Sequence, residues 1–361
     1  MRGMVLTNVE NYLEEILEAI DFQGVNDFLN GHLRSEYTFQ ELVAQISTQG
    51  LEALDAESIC RFVFDSCFYE LSMLRPMFLK MLVFCLLFSV LHRLLVTKNK
   101  YISDIGFLLI YATLMVLLMQ SFLLVKSIAI EGMDTLLGFV NALIPTFALV
   151  LAFTGNMVSG ALVYELAFLF VYLVEWLMKY VLSPLIQVFI LVLLLNHLFD
   201  EEKLSKLAGL LEKVVQLVVK SAFGAVVGLG VVQSLLTPAK DRIAGNVLLS
   251  GLSSIPGVGG ALGSTGELVL SCGMLIKNSV GVVGLLILFV LAVIPLVKMG
   301  CFWLMYHVLA VLIEPVCDKR LVECISGVSR GCDLYFKMVM YSMLLFFVLF
   351  SMVSVATSFV Y

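Results

Sequence analysis

A carboxyl group within an apolar stretch is the first feature of this chain that could take part in chemistry. Glu165 lies near the middle of a long apolar run, where an ionised side chain would cost about 3 kcal/mol on membrane-insertion scales. We therefore expect Glu165 to face protein or water, either in a polar pathway or as a hydrogen-bonded packing residue. Glu175 follows ten residues later, which turns two helical side chains roughly 80° apart. The two are poorly placed as an acid–base pair, and we expect Glu175 at the membrane interface.

A proline- and glycine-rich run, whose backbone polar groups would not all be bonded within a helix, is the second feature that could take part in chemistry. The run covers 254–263, and its helix-breaking residues are Pro256, Gly257, Gly259, Gly260 and Gly263. Proline lacks an N–H donor and glycine carries an entropic cost, so a continuous helix is disfavoured here. Irregular backbone at membrane depth is tolerated only against protein or a water-filled cavity. We expect 247–276 to be a re-entrant or broken helix lining a path, with a loop outside the bilayer as the alternative.

The sequence lacks the signatures of enzymes, metal sites and nucleic-acid binding. No Walker loop, nucleophile elbow or HExxH motif occurs, the eight cysteines form no CxxC pair, and the four histidines are dispersed. This pattern favours cysteines that serve as small apolar residues over metal ligands. Residues 1–76 carry thirteen acidic residues against four arginines, the reverse of what nucleic-acid binding needs. We expect no catalytic, cofactor-binding or metal site and no nucleic-acid partner.

Apolar helices are the elements that must position these residues. Apolar side chains make up 61% of the 361 residues and charged ones 14%, with a mean hydropathy of +1.03; soluble domains have about 25% charged residues. The sequence predicts an all-α, polytopic transmembrane bundle over 77–361, with about eight or nine spans of ~20 residues in the lipid bilayer. The predicted spans are 77–96, 105–125, 135–154, 157–178, 181–199, 221–237, 279–297, 299–315 and 334–360.

Amphipathic helices are predicted in two further segments. Residues 1–76 form an acidic region in which Thr38-x-x-Glu41 is a capping-box pattern and Pro76 ends a helix. The segregation of acidic and basic residues places this region outside the cytoplasm. Segment 200–220 has an apolar face and a lysine face, typical of a cytoplasmic surface helix in the membrane plane. It is either a connector or a docking surface for a partner.

Five short runs resemble, in the same order, the stage III sporulation protein AE family. They are Phe88–Leu91, Ala142–Pro145, Leu182–Pro184, Ser254–Gly259 and Leu275–Gly284. The resemblance extends from about residue 60 to about residue 350, and the run from Lys277 to Gly281 is its most specific part. Lys277 and Asn278 are therefore candidate pathway or packing residues.

The resemblance implies a non-enzymatic integral membrane protein in the mother-cell membrane that surrounds the forespore. Such a protein would be a subunit of the secretion-like channel complex that connects mother cell and forespore and is required for endospore formation. Its implied partners are other stage III sporulation A-operon proteins, namely a secretion-type ATPase and ring-forming subunits, together with a forespore-side channel protein. A homo-oligomer is also compatible with the sequence. The glycine-rich run and Glu165 suggest the alternative, a permease-like transporter moving small solutes through a broken-helix pathway.

Overall fold

The computed structural model describes residues 16–32, 38–49, 56–96, 100–153, 168–196, 204–225, 228 and 259–356. Over these residues the protein is helical and contains no strand, which confirms the predicted all-α class. The helices are α1 Gln23–His32, α2 Phe39–Gln49, α3 Ala56–Val96, α4 Lys100–Phe153, α5 Phe168–Asn196, α6 205–225, α7 Gly259–Ile313 and α8 Lys319–Ala356.

The two short N-terminal helices begin at side chains that cap them. At α2, the Thr38 hydroxyl accepts a hydrogen bond from the Glu41 N–H at 3.3 Å, and the Glu41 carboxylate accepts one from the Thr38 N–H at 2.8 Å. This reciprocal pair is the predicted capping box. At α1, the Asp21 carboxylate accepts a bond from the Gln23 N–H at 2.9 Å. The sequence prediction of the α2 start is confirmed.

Helix α3 continues through Pro76, where a helix end was expected. A proline inside a helix forfeits a backbone hydrogen bond and costs about 3 kcal/mol. The next twenty residues contain no glycine, asparagine or aspartate to form a turn, and sixteen of them are apolar, so packing of the helix outweighs this cost. The boundary expected at residue 76 therefore falls within one helix.

Four helical segments of the described residues are long and apolar enough to cross a membrane. They are Tyr111–Val150, Phe168–Asn196, Met274–Ile313 and Lys319–Leu349. This finding agrees with a membrane protein but does not support the predicted count of eight or nine spans. Helices α4 and α7 each run through two of the predicted spans without a break.

Charged residues divide α4 and α7 into apolar halves without ending either helix. Lys126, Glu131 and Asp134 separate the halves of α4, and Lys298 separates those of α7. Charged side chains interrupt a hydropathy profile, but a chain reversal requires turn residues such as Gly, Asn or Pro in the right conformation. A gap in hydropathy therefore does not by itself predict a turn between two spans.

An antiparallel hairpin of α7 and α8 forms the centre of the described bundle. The Ser329 hydroxyl of α8 donates to the Trp303 carbonyl of α7 at 3.5 Å, and the Phe336 ring lies beside Gly300. Residues further from the turn at 314–318 on α8 therefore contact residues further from it on α7, as expected for an antiparallel pair. Both helices of the hairpin contain a candidate membrane span.

Helix α4 packs antiparallel against α7. The hydroxyl groups of Ser121 and Tyr306 form a buried hydrogen bond. Eleven residues further along α4, Gly132 lies so close to Pro295 that an added Cβ would come within 2.8 Å of the proline Cβ. Glycine permits this close approach because it has no side chain.

The remaining described helices pack around this core. The Thr146 hydroxyl of α4 donates to the Asp21 carbonyl at 2.9 Å, which ties the N-terminal helices to α4. On α3, the Cys67 sulfur lies 3.9 Å from the Cys301 sulfur of α7. The N-terminal region and the membrane-type helices therefore share one hydrophobic core.

Helix α6 runs alongside α8, whereas a helix in the membrane plane was expected over 200–220. Arg330 lies 3.7 Å from Glu212, and the Tyr341 and Phe223 rings are 5.3 Å apart. The eleven-residue spacing on both helices shows that they pack in parallel. A second apolar face of α6 explains this arrangement, since it is buried; its residues are Ala208, Val215, Val219 and Ala222.

Candidate functional site

Two side chains of charged type are buried among the described residues, Glu175 in α5 and Lys277 in α7. They are 4% and 1% exposed. Both lie in candidate membrane spans, where burial of an ionisable group is costly and marks a position of interest. Glu175 has a described polar environment built from α4, α5 and α8, and we take this cluster as the candidate site.

Glu175 joins α5 to α8 through a hydrogen bond. The Ser342 hydroxyl donates to its Oε1 atom, and both side chains are buried. The expected position of Glu175 at the membrane interface concerns its depth in the membrane and stays a prediction; the structure shows that its side chain is covered by protein. Burial of a carboxyl group is tolerated when it is hydrogen-bonded, and Ser342 supplies that bond from the neighbouring helix.

A π-helical turn at Met178–Leu182 follows Glu175 within α5. The Ser183 N–H bonds the Met178 carbonyl five residues back, and Pro184 has no N–H to donate. Local π geometry is one way in which membrane helices satisfy backbone groups freed by proline. Such turns occur frequently at functional sites because they reorient the flanking side chains.

A second interhelical contact lies directly after this turn. The Tyr335 hydroxyl of α8 donates to the Ser183 carbonyl at 3.0 Å, and it lies 3.0 Å from the Ser183 hydroxyl. Tyr335 and Ser342 are seven residues apart, which is two helical turns and places them on one face of α8. The contacts at Glu175 and Ser183 therefore fix α5 antiparallel to α8.

An ion pair connects the same part of α5 to α4. The Lys179 ammonium is 2.6 Å from both carboxylate oxygens of Asp134. These side chains are 28% and 49% exposed, so solvent screening limits the contribution of the pair to stability. The pair lies at the outer edge of the cluster, whereas Glu175 lies inside it.

The cluster can hold three helices in register. Apart from Glu175, its members are hydroxyl groups and one exposed ion pair. Its contact between a hydroxyl and a carboxyl group, from Ser342 to Glu175, is formed by two buried side chains. The part of the chain that the structure describes holds no group of three or more His, Cys, Asp or Glu side chains that could bind a metal.

The residues expected at the site fall in several places. Glu165, Pro256 and Gly257 lie outside the described residues. Lys277 is buried and Asn278 is exposed, on adjacent positions of α7. Lys277 precedes the contact at Pro295 by eighteen residues, roughly 27 Å along the helix, so the structure does not bring it to the Glu175 cluster.

Three glycines of the expected broken segment lie within the described residues, and all three are helical. Gly259, Gly260 and Gly263 form the first turns of α7, which continues unbroken to Ile313. The expected re-entrant or broken helix over 247–276 therefore does not extend into 259–276. The entropic cost of glycine is near 1 kcal/mol per residue, and without proline it does not end a helix that continues into a long apolar segment.

Sequence reasoning missed the contact between Glu175 and Ser342. Two signals in the sequence point towards it. A Ser-Pro pair within a long apolar stretch, at Ser183 and Pro184, indicates a local change of helix geometry. Tyr335 and Ser342 repeat at a spacing of seven on the last helix, which indicates a polar stripe.

Comparison with known proteins finds one family and one relative. The family described as stage III sporulation protein AE matches residues 37–357. Stage III sporulation protein AE of Bacillus subtilis (strain 168) is 24% identical over 267 residues, which covers 73% of this chain and 66% of the relative. The aligned part thus spans just under two thirds of that relative. No solved structure matches the chain significantly.

Proposed function

The chain belongs to the stage III sporulation protein AE family, and from this premise we propose that it is a non-enzymatic membrane subunit of the channel complex between mother cell and forespore. The match over residues 37–357 carries the proposal. It includes the four segments of the described helices that are long and apolar enough to cross a membrane. A sporulation protein with such helices is suited to a role within a membrane assembly.

We propose the mother-cell membrane around the forespore as its location. Its partners there would be a secretion-type ATPase on the cytoplasmic side, ring-forming subunits between the two membranes, and a channel protein on the forespore side. The exposed apolar surface of α3, α4 and α5 is available for lipid and for neighbouring membrane proteins.

The buried cluster supports a structural role within such a subunit. The hydrogen bonds from Ser342 to Glu175 and from Tyr335 to Ser183 join α5 to α8, and the Lys179–Asp134 pair joins α5 to α4. Polar groups of this kind fix which faces of apolar helices meet. We propose that the cluster keeps the subunit in one conformation while it binds its partners.

A permease-like transporter is the second candidate. Buried Glu175 and buried Lys277 favour it, because ionisable groups within membrane spans often line substrate or proton pathways. The π-helical turn next to Glu175 is a further feature of such pathways. Under this alternative the chain would move a small solute without the ring-forming subunits.

Purification from sporulating cells separates these two candidates. We expect an affinity-tagged chain, extracted in mild detergent, to retain the ATPase and ring-forming proteins of the same operon, as identified by mass spectrometry. A tagged membrane protein made at the same stage of sporulation is the matched control. Recovery of the chain alone, together with solute uptake by liposomes containing only this chain, would favour the permease.

A further inference from the structure

Helix α6 carries an apolar stripe that is exposed on the surface of the bundle. Its residues are between 37% and 66% exposed and lie at intervals of three, four and three positions; they are Leu207, Leu210, Val214 and Leu217. Alternation of three and four is the heptad pattern of apolar positions at which two helices pack side by side. The heptad stripe, as we call these four residues, therefore has the spacing of a helix-packing seam.

The other side of α6 already packs against the protein. Its buried residues are Ala208, Val215, Val219 and Ala222. At about 100° per residue, they centre roughly 130° around the helix from the heptad stripe. Glu212 also lies on that side, 3.7 Å from Arg330 of α8. Helix α6 therefore packs against α8 with one face and keeps the heptad stripe on the surface.

A row of lysines follows one edge of the heptad stripe. Lys206, Lys213 and Lys220 are exposed, and the first two each directly precede a stripe residue. Their seven-residue spacing keeps the row roughly 80° from the centre of the stripe, where the charged residues that flank a coiled-coil seam lie. The ion pairs of the described residues are formed by other lysines and arginines. The lysine row therefore offers three positive charges to a partner.

Lipid does not fit this combination of stripe and lysine row. Helix α6 runs parallel to α8 beside 330–341, which belongs to a candidate span, so α6 follows the axis of that span. From Lys206 to Lys220 the row then extends about 21 Å along this axis. Any part of α6 within the hydrocarbon would place lysines there at high cost, and any part outside it would meet no acyl chains. A protein is therefore the better occupant of this face.

A second copy of the same face does not fit either. Glu212 is the only acidic residue in 205–225, and it faces α8. Two such faces would bring their lysines together without a carboxylate between them, and like charges across an interface are unfavourable. The acidic segment before α1 is already used, because Ile16, Leu17 and Ile20 are buried in the chain's own hydrophobic core. The charge pattern therefore requires acidic residues from another protein.

We propose that the exposed face of α6 binds an amphipathic helix of another protein. The partner helix places apolar residues on the heptad stripe and acidic residues beside the lysine row. Charges that flank a seam set the choice and orientation of a partner helix, so the lysines select an acidic one. The stripe extends roughly 15 Å from Leu207 to Leu217, which matches about three helical turns of the partner. Of the two roles expected for 200–220, this is the docking surface, and it does not depend on the channel function.

A designed peptide tests the proposal on the full chain. The chain is placed in phosphatidylcholine nanodiscs, and binding of a fluorescent helix of about three heptads, with leucine at the seam and glutamate at the flanking positions, is measured by anisotropy. We expect this acidic peptide to bind more tightly than a peptide with lysine at the flanking positions, after subtraction of binding to empty nanodiscs. Lys213→Glu should weaken the acidic peptide by about fivefold, because exposed ion pairs contribute on that order, and should strengthen the lysine peptide.

Lys80→Glu is the matched control for this charge reversal. Lys80 is an exposed lysine of α3, and its reversal changes the net charge of the chain by the same amount. This variant should bind both peptides as the unmodified chain does. The proposal is overturned if the two peptides bind the unmodified chain equally, or if Lys80→Glu and Lys213→Glu change the binding alike.

Photo-crosslinking in sporulating cells identifies the natural occupant. p-Benzoylphenylalanine is introduced at position 214 in the stripe, and at position 312 of α7, where Leu312 is 51% exposed, as the control. Only position 214 should form an adduct with a protein segment that has acidic residues beside apolar ones at heptad spacing, and Lys213→Glu should reduce its yield severalfold. An adduct with lipid, with a second copy or with another part of the same chain would contradict the proposal. The absence of any adduct at position 214, or a yield unchanged by Lys213→Glu, would contradict it equally.

Discussion

Gly331→Ala is expected to lower the yield of folded protein and its melting temperature in detergent. A Cβ at this position would lie 2.7 Å from Ile190 Cγ1 of α5 and 2.8 Å from Phe122 Cε2 of α4. Neighbours from two different helices would have to move at once, and such overpacking typically costs about 1–3 kcal/mol. Thermal unfolding of the purified variant and the amount of monodisperse protein recovered from membranes measure the effect.

Gly300→Ala is the matched control on the neighbouring helix. The nearest atom to an added Cβ there is Phe336 Cε2 at 3.9 Å, an ordinary contact distance. Alanine is favoured over glycine by about 1 kcal/mol within a helix, so this variant should melt at the same temperature as the unmodified chain or higher. Equal losses in both variants would contradict the close packing of α8 against α4 and α5.

Ser342→Ala is expected to destabilise the protein by about 1–3 kcal/mol, because it leaves the buried Glu175 carboxyl group without its donor. Ser279→Ala is the matched control. Ser279 is also buried, at 4% exposed, but its hydroxyl bonds the Leu275 carbonyl of its own helix. Loss of that bond leaves a carbonyl that can keep its helical partner, so the control should lose less. Thermal unfolding of the two variants in the same detergent measures the difference.

A double-mutant cycle assigns this effect to Glu175. Glu175→Leu removes the oxygen that accepts from Ser342. An unsatisfied buried polar group costs about 1–3 kcal/mol, and the leucine background has no such group for Ser342→Ala to leave behind. Ser342→Ala should therefore cost less in the Glu175→Leu background. The same cost in both backgrounds would show that Ser342 does not act through Glu175.

The helical class and the capping of α2 could be predicted from the sequence, because they depend on local chemistry. Apolar composition over long stretches predicts membrane helices, and Thr38 with Glu41 fixes a helix start within four residues. The structure confirms both. These predictions need no knowledge of which distant residues meet.

The lengths of the helices could not be predicted by the same reasoning. The expected helix end at Pro76 and the expected breaks between spans 105–125 and 135–154 and between spans 279–297 and 299–315 all lie inside helices, because α3, α4 and α7 continue through them. Whether a helix tolerates such residues depends on packing against other helices, as at Gly132 and Pro295. That packing joins residues more than a hundred positions apart.

The contacts of the candidate site could not be predicted from the sequence for a related reason. Glu175 lies near the end of the predicted span 157–178, which predicts a position at the membrane interface but not which helix covers the side chain. Its hydrogen-bonding partner Ser342, also buried, lies 167 positions later in the chain. The position of Lys277 was singled out by family resemblance, and the structure places its side chain in the interior. Burial of both residues follows from the antiparallel arrangement of the long helices.

We propose that this chain is a subunit of the sporulation channel in the membrane around the forespore, and a deletion of its gene in the endospore-forming source strain, complemented with a fluorescently tagged copy, tests this role. We expect the deletion strain to engulf its forespores but to make few heat-resistant spores. The tagged chain should restore them and encircle the forespore. Normal numbers of heat-resistant spores in the deletion strain, or a tagged chain that restores sporulation from the cytoplasm, would contradict it.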